Sequence, residues 1–133
     1  HIVVSNCHKI PSQEFERSRL SVEDIVKEYL MLIGRLREIN PGLRILFTVS
    51  PIRHWKDGAH GNQLSKATLL LAIDRLREEL QHVYYFPAYE IVLDELRDYR
   101  FYADDMLHMS GFTVDYIWER FLYSFISPEV LGL

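Results

Sequence analysis

An α/β fold with a mostly parallel sheet, covered on both faces, is the class this sequence predicts. Three observations carry it: short β-branched or aromatic runs alternate with longer amphipathic stretches at βαβ spacing; the runs are apolar throughout, as buried parallel strands are; and turn or cap residues close them. A chain of 133 residues, 48% hydrophobic, fits one domain over residues 1–133 that buries roughly two-thirds of the surface its unfolded form exposes.

Taken in order, "HIVVS" (1–5) reads as a first strand ending at Asn6. "SVEDIVKEYLMLIGRLREI" (21–39) repeats apolar side chains at Val22, Ile25, Val26, Tyr29, Ile33 and Leu36, with Ser21 as N-cap and Asn40-Pro41-Gly42 as the stop; it is an amphipathic helix. "RILFTVS" (44–50) is a second strand, closed by Pro51. A helix over 62–80 follows, with Leu69, Ile73, Leu76 and Leu80 on one face. "VYYF" (83–86) is a third strand, Pro87 starts a short helix through about Leu96, and 112–126 forms a strongly apolar last helix. Right-handed crossovers join the parallel strands.

Composition limits the function classes. A net charge of −4, from 15 Lys+Arg against 19 Asp+Glu with no long basic run, argues against nucleic-acid and membrane-surface partners. No stretch approaches the roughly 20 apolar residues of a bilayer span. The single cysteine, Cys7, rules out an internal disulfide and fits a reducing, cytoplasmic compartment. Because the sequence starts at His1 inside a β-branched run, a fragment is expected.

Ligands of open parallel sheets bind at the carboxyl ends of strands, so three loops matter: Asn6 to Lys9, Pro51 to Asn62, and Arg97 to Ser110. The last holds "FYADDMLH", with Asp105 and His108 three apart on one side of a turn. A carboxylate accepting from one imidazole nitrogen fixes the tautomer and leaves the other nitrogen free as a base. The same spacing also fits a solvated turn whose aspartate caps the last helix. Cys7 and His8, adjacent on extended backbone, face opposite ways and form no thiol–imidazole pair. Ser50 and Ser110 lack a strained elbow of the Gly-x-Ser-x-Gly kind. His54, Asp57 and His60, even with Asp104 and Asp105, match no common ligand spacing, so no metal site is assigned. The aromatic residues from Tyr84 to Tyr102 read as core and cleft wall, and Trp118, Phe121, Leu122 and Phe125 as core.

The ordered strings "VVSNCHKIP", "NPGLRILFTVSPIRH", "NQLSKATLL", "YYFPAYEIVLDELRDYRFYADDMLH" and "DYIWERF" resemble the GSCFA family, a branch related to the SGNH (GDSL-like) ester hydrolases. The resemblance implies a three-layer α/β/α fold of the SGNH-hydrolase, flavodoxin-like type, incomplete at its N-terminus. It implies a serine ester hydrolase acting on an acyl or acetyl ester, a small-molecule substrate and no cofactor. On that pattern Asn6 takes the place of an oxyanion asparagine, Asp105 and His108 that of the Asp-x-x-His, and Arg53, His54 and Asn62 line the substrate cleft. From the residues alone, Asn62 reads instead as the N-cap of its helix and Arg53 as the partner of a carboxylate. Met109 stands where the pattern has proline. Neither Gly-Ser-Cys-Phe-Ala nor Gly-Asp-Ser occurs in the 133 residues, so the nucleophile is expected upstream of His1 and this chain alone is expected to be inactive. The family's strand order also implies that the strand at Ile2 to Val4 has lost its neighbour, which predicts pairing of two copies along that edge, a homodimer, with aggregation as the alternative. The other class left open is a non-catalytic α/β module that binds a small ligand or a protein.

Overall fold

A computed structural model describes residues 9–132. The strand expected over residues 1–5, with the edge pairing built on it, and Asn6, Cys7 and His8 lie outside the described residues.

The fold is mixed α/β around a two-stranded parallel sheet. Helix α1 (Val22–Ile39) starts where the cap pattern placed it: the Asp24 N–H donates to Ser21 Oγ, and the Ser21 N–H donates back to the Asp24 carboxylate, a reciprocal capping box worth about 1 kcal/mol. Strand β1 (Ile45–Thr48) leads through helix α2 (Gly58–Glu79) to strand β2 (Val83–Phe86), paired in register Ile45 with Val83 through Thr48 with Phe86. This is one βαβ unit.

Because side chains alternate along a strand, Ile45, Phe47, Val83 and Tyr85 share one sheet face, and Leu46, Thr48, Tyr84 and Phe86 the other. The first face carries the main core, where Val26 and Ile33 of α1 and Ala72 and Leu76 of α2 close over Val83, Ile45 and Phe47. On the second face Phe86 meets Phe121 and Phe125 edge-on. Those two belong to helix α4 (Gly111–Phe125), which follows the short helix α3 (Ala88–Glu90) and its π-helical continuation Ile91–Glu95. Leu46 and Tyr84 on this face stay 37% and 40% exposed, so α4 covers only one end of it. A final turn, α5 (Pro128–Leu131), ends the described chain.

Three expectations need correction. Helix α2 begins at Gly58, a turn ahead of Asn62. The glycines of "DGAHGN" read as loop because each costs a helix about 1 kcal/mol, but bonds between Asn62 and the His54 backbone and between Arg17 and Asp57 fasten the helix start against that propensity. Gly58 sits at φ 67°, a conformation that suits glycine, and a Cβ at Gly61 would come within 3.1 Å of Asp57 Cβ. Among the side chains expected in the core or cleft wall, Trp118 is 57% exposed and stacked on Phe121, Phe125 is 39% and Tyr99 69% exposed, and Leu69 on the α2 stripe is 40% exposed. Helical spacing marks a stripe of side chains, but the width of the partner surface decides how much of the stripe is covered.

His82, just before β2, has its Nε2 buried without a hydrogen-bond partner among the described residues. Removal from water, and then the nearby Arg37 guanidinium, push the ring below its ordinary value of about 6.5. The unfolded chain therefore binds the proton more readily, so the stability held by neutral His82 is complete above that ordinary value and is lost as pH falls below it. Between about pH 7.5 and about pH 5.5 the urea midpoint of the wild type should drop further than that of His82→Leu. Parallel decline of the two proteins would refute this assignment.

Candidate functional site

Both strands point the same way, so the segments after Thr48 and after Phe86 leave from one end of the sheet. The second segment, after the π-helical turn, folds back on itself. Asp98 accepts the Arg100 N–H and starts a short turn over Tyr99–Phe101. Tyr102 and Met109 then form an antiparallel bridge, flanked by hydrogen bonds from Ala103 N to His108 O (2.8 Å) and from Ser110 N to Phe101 O (3.0 Å). Between them Met106 takes a left-handed φ of 58°, uncommon for a side chain of its size.

That tight loop brings Asp105 and His108 together. One carboxylate oxygen of Asp105 accepts the backbone N–H groups of Leu107 and His108, both at 2.9 Å, and the other lies 2.5 Å from His108 Nδ1. The backbone bonds fix the carboxylate, and the carboxylate fixes the ring. The Asp105 carboxyl is lowered to about 2, first by its bond to the His108 ring and then by the two backbone donors. It therefore stays ionised throughout the range in which a histidine titrates. Nδ1 donates to it, and Nε2 is the nitrogen left to accept a proton; the His108 side chain is 63% exposed. Ser110, and not an aspartate, caps α4, with its Oγ accepting the Thr113 N–H.

Thr113, which the sequence reading did not single out, anchors the loop from below. It is fully buried, its hydroxyl donates to Phe101 O at 2.6 Å, and it lies 3.0 Å from Ser110 Oγ. The Ser-x-x-Thr spacing at a helix start was its one readable signal. Thr113→Val keeps the volume but removes the hydroxyl, and should cost about 1–3 kcal/mol by urea unfolding. A loss below about 0.3 kcal/mol would show that the hydroxyl anchors nothing.

The loop after β1 contributes Arg53 and His54, both in the wall of a cavity of about 270 Å³ with Trp55, Asn62, Tyr89 and Leu93. Asp105 and His108 are not part of that wall. The Arg53 guanidinium lies over the Tyr102 ring, 5.5 Å from its centre, and so ties the cavity to the histidine-bearing loop. It pairs with no carboxylate among the described residues, contrary to the expectation drawn from the residues alone.

Asn62 is buried one turn inside α2 and is not its cap; its Oδ1 accepts the His54 N–H at 2.9 Å and holds the loop to the helix. His54 Nδ1 lies 2.7 Å from one Asp57 oxygen, and Arg17 donates to the other at 2.9 Å. The His54 bond first, and then the Arg17 charge, hold the Asp57 carboxyl below the usual carboxylate range. No group of three or more His, Cys, Asp or Glu side chains able to hold a metal occurs among the described residues. Ser50 Oγ accepts the Ile52 N–H, and neither Ser50 nor Ser110 bonds to His108.

The GSCFA family matches the sequence over residues 1–121. No curated protein and no solved structure gives a significant match.

Proposed function

Because the chain belongs to the GSCFA family, we propose that it is the C-terminal part of a serine ester hydrolase of the SGNH type, acting on an acyl or acetyl ester. The observation that carries this reading is the Asp105–His108 pair, in which a fixed, ionised carboxylate holds Nδ1 and leaves Nε2 exposed as a base. In this reading the nucleophilic serine belongs to a Gly-Ser-Cys-Phe-Ala string, which does not occur in these 133 residues, and neither Ser50 nor Ser110 bonds to His108. Asn6 supplies an oxyanion donor, and Arg53 and His54 contact the substrate.

In this mechanism His108 Nε2 takes the proton of the serine hydroxyl as its oxygen attacks the ester carbonyl. Asp105 stabilises the imidazolium that forms. The protonated ring then gives the proton to the leaving alcohol, and water repeats the sequence on the acyl-enzyme. The layered arrangement, with α1 and α2 on one sheet face and α4 against Phe86 on the other, supports the three-layer fold that such hydrolases use.

Incubation of the intact protein with a fluorophosphonate probe and short p-nitrophenyl esters tests the reading. Labelling of one serine outside these 133 residues is expected. No labelling and no turnover would refute it.

A further inference from the structure

The cavity beside the start of α2 is lined by three side chains whose N–H groups donate to no acceptor among the described residues. Asn62 is 6% exposed, and because its Oδ1 accepts the His54 N–H, the orientation of the amide is fixed and its NH₂ is the free end. No acceptor for that NH₂ occurs among the described residues. Gln63, an exposed residue, is oriented in the same way: Tyr89 OH donates to its Oε1 at 2.5 Å, and its NH₂ meets no acceptor among the described residues. Arg53, an exposed residue, has its guanidinium carbon over the Tyr102 ring, 5.5 Å from its centre, and its N–H groups donate to no other described residue. All three side chains line one space of about 270 Å³, whose apolar walls come from Pro51, Trp55 and Leu93.

The charge balance narrows the ligand. Asp57, at the mouth of α2, is matched by the Arg17 charge and bonded to the His54 ring, and the Arg53 charge has no carboxylate counterpart among the described residues. One guanidinium and two amides suit one planar carboxylate, which can accept in two directions at once. A phosphate dianion would bring two negative charges to the single Arg53 cation. The volume lies below the roughly 300–1,000 Å³ of drug-sized sites, so the ligand is short.

We propose that this cavity is a subsite for a single organic carboxylate, carried by the acyl part of the substrate, so that the preferred esters are short dicarboxylic half-esters. The place of the subsite in catalysis rests on the hydrolase reading; its ability to bind a carboxylate does not. The carboxylate accepts from the edge of Arg53 and from the free NH₂ groups of Asn62 and Gln63, while the apolar walls take the methylene chain.

Titration of the protein with monomethyl succinate, followed through the side-chain NH₂ resonances of Asn62 and Gln63, tests this. Saturable shifts are expected, with dimethyl succinate and inorganic phosphate binding at least about tenfold more weakly. Arg53→Met should bind the half-ester no better than the wild type binds the diester. Asn62→Asp keeps an acceptor for the His54 N–H but turns a carboxylate oxygen into the cavity, and should abolish binding. Equal affinity for half-ester and diester, tighter binding of phosphate, unchanged affinity in Arg53→Met, or no saturation would each overturn the proposal. Fluorophosphonate labelling of the intact protein separates the two readings: labelling without a carboxylate preference sinks the subsite alone, and half-ester binding without labelling upholds the subsite while the hydrolase reading falls.

Discussion

His108→Ala in the intact protein should lower ester turnover by about a hundredfold to ten-thousandfold, the range a positioned general base contributes. The substitution removes the only ring that Asp105 holds, and a serine hydroxyl without a base is a weak nucleophile at neutral pH. Asp105→Asn is the informative companion. Its amide still offers an oxygen to the backbone of Leu107 and His108, but it presents NH₂ where a carboxylate oxygen faced Nδ1. The ring then turns its N–H to the Nε2 side, the wrong tautomer for a base, and turnover should fall by a similar order. His108 is mostly exposed, so the alanine variant should keep its unfolding free energy within about 0.5 kcal/mol of wild type. The measurement is kcat on a short p-nitrophenyl ester beside the unfolding curve. Retention of activity within threefold in both variants, by order-of-magnitude reasoning about a base, would mean that this pair is structural.

Leu76→Ala should produce the largest loss of stability, about 2–5 kcal/mol, because it opens a void that its neighbours cannot fill by relaxing. Leu76 is 1% exposed and stands where α1, α2 and the sheet meet, against Val26, Ile33, Ala72 and Val83. Against the roughly 5–15 kcal/mol that holds a domain of this size together, that loss is a large part of the whole. Leu69→Ala, two turns earlier on the same helical stripe but 40% exposed, should cost under about 1 kcal/mol. Urea unfolding of both variants gives the comparison. Equal losses would mean that the core does not sit between α1, α2 and the sheet.

Leu69 and Leu76 also show where sequence legibility ends. Their spacing reads identically, seven residues apart on one face. Only the position of α1 and the sheet distinguishes them, and that information lies in other segments of the chain. The same holds for the loop after β1. "HWKDGAHGN" carries two glycines and two histidines and reads as an irregular loop, yet Asp57 is fastened by Arg17 from far upstream, and Asn62 reaches back to the His54 backbone. These bonds let α2 start a turn early, against the propensity of its own residues.

What the sequence determined by itself is what acts within a turn or two. Ser21 and Asp24 cap α1 reciprocally, Asn40 ends it, the apolar runs 45–48 and 83–86 form the strands, and Asp105 reaches His108 across three residues. The caps and the Asp105–His108 bond are settled between near neighbours, and the strands show in the sequence as short apolar runs although they pair with each other across the chain. Tertiary structure decided the rest: that Asn62 holds a loop instead of capping a helix, that Arg53 lies on Tyr102 and keeps its donors free, that Thr113 anchors the histidine loop, and that Trp118 faces solvent. In each case the partner or covering surface comes from another segment, and which side chains meet depends on how the helices and the sheet pack, a choice made by the burial of the whole core and not by any local pattern.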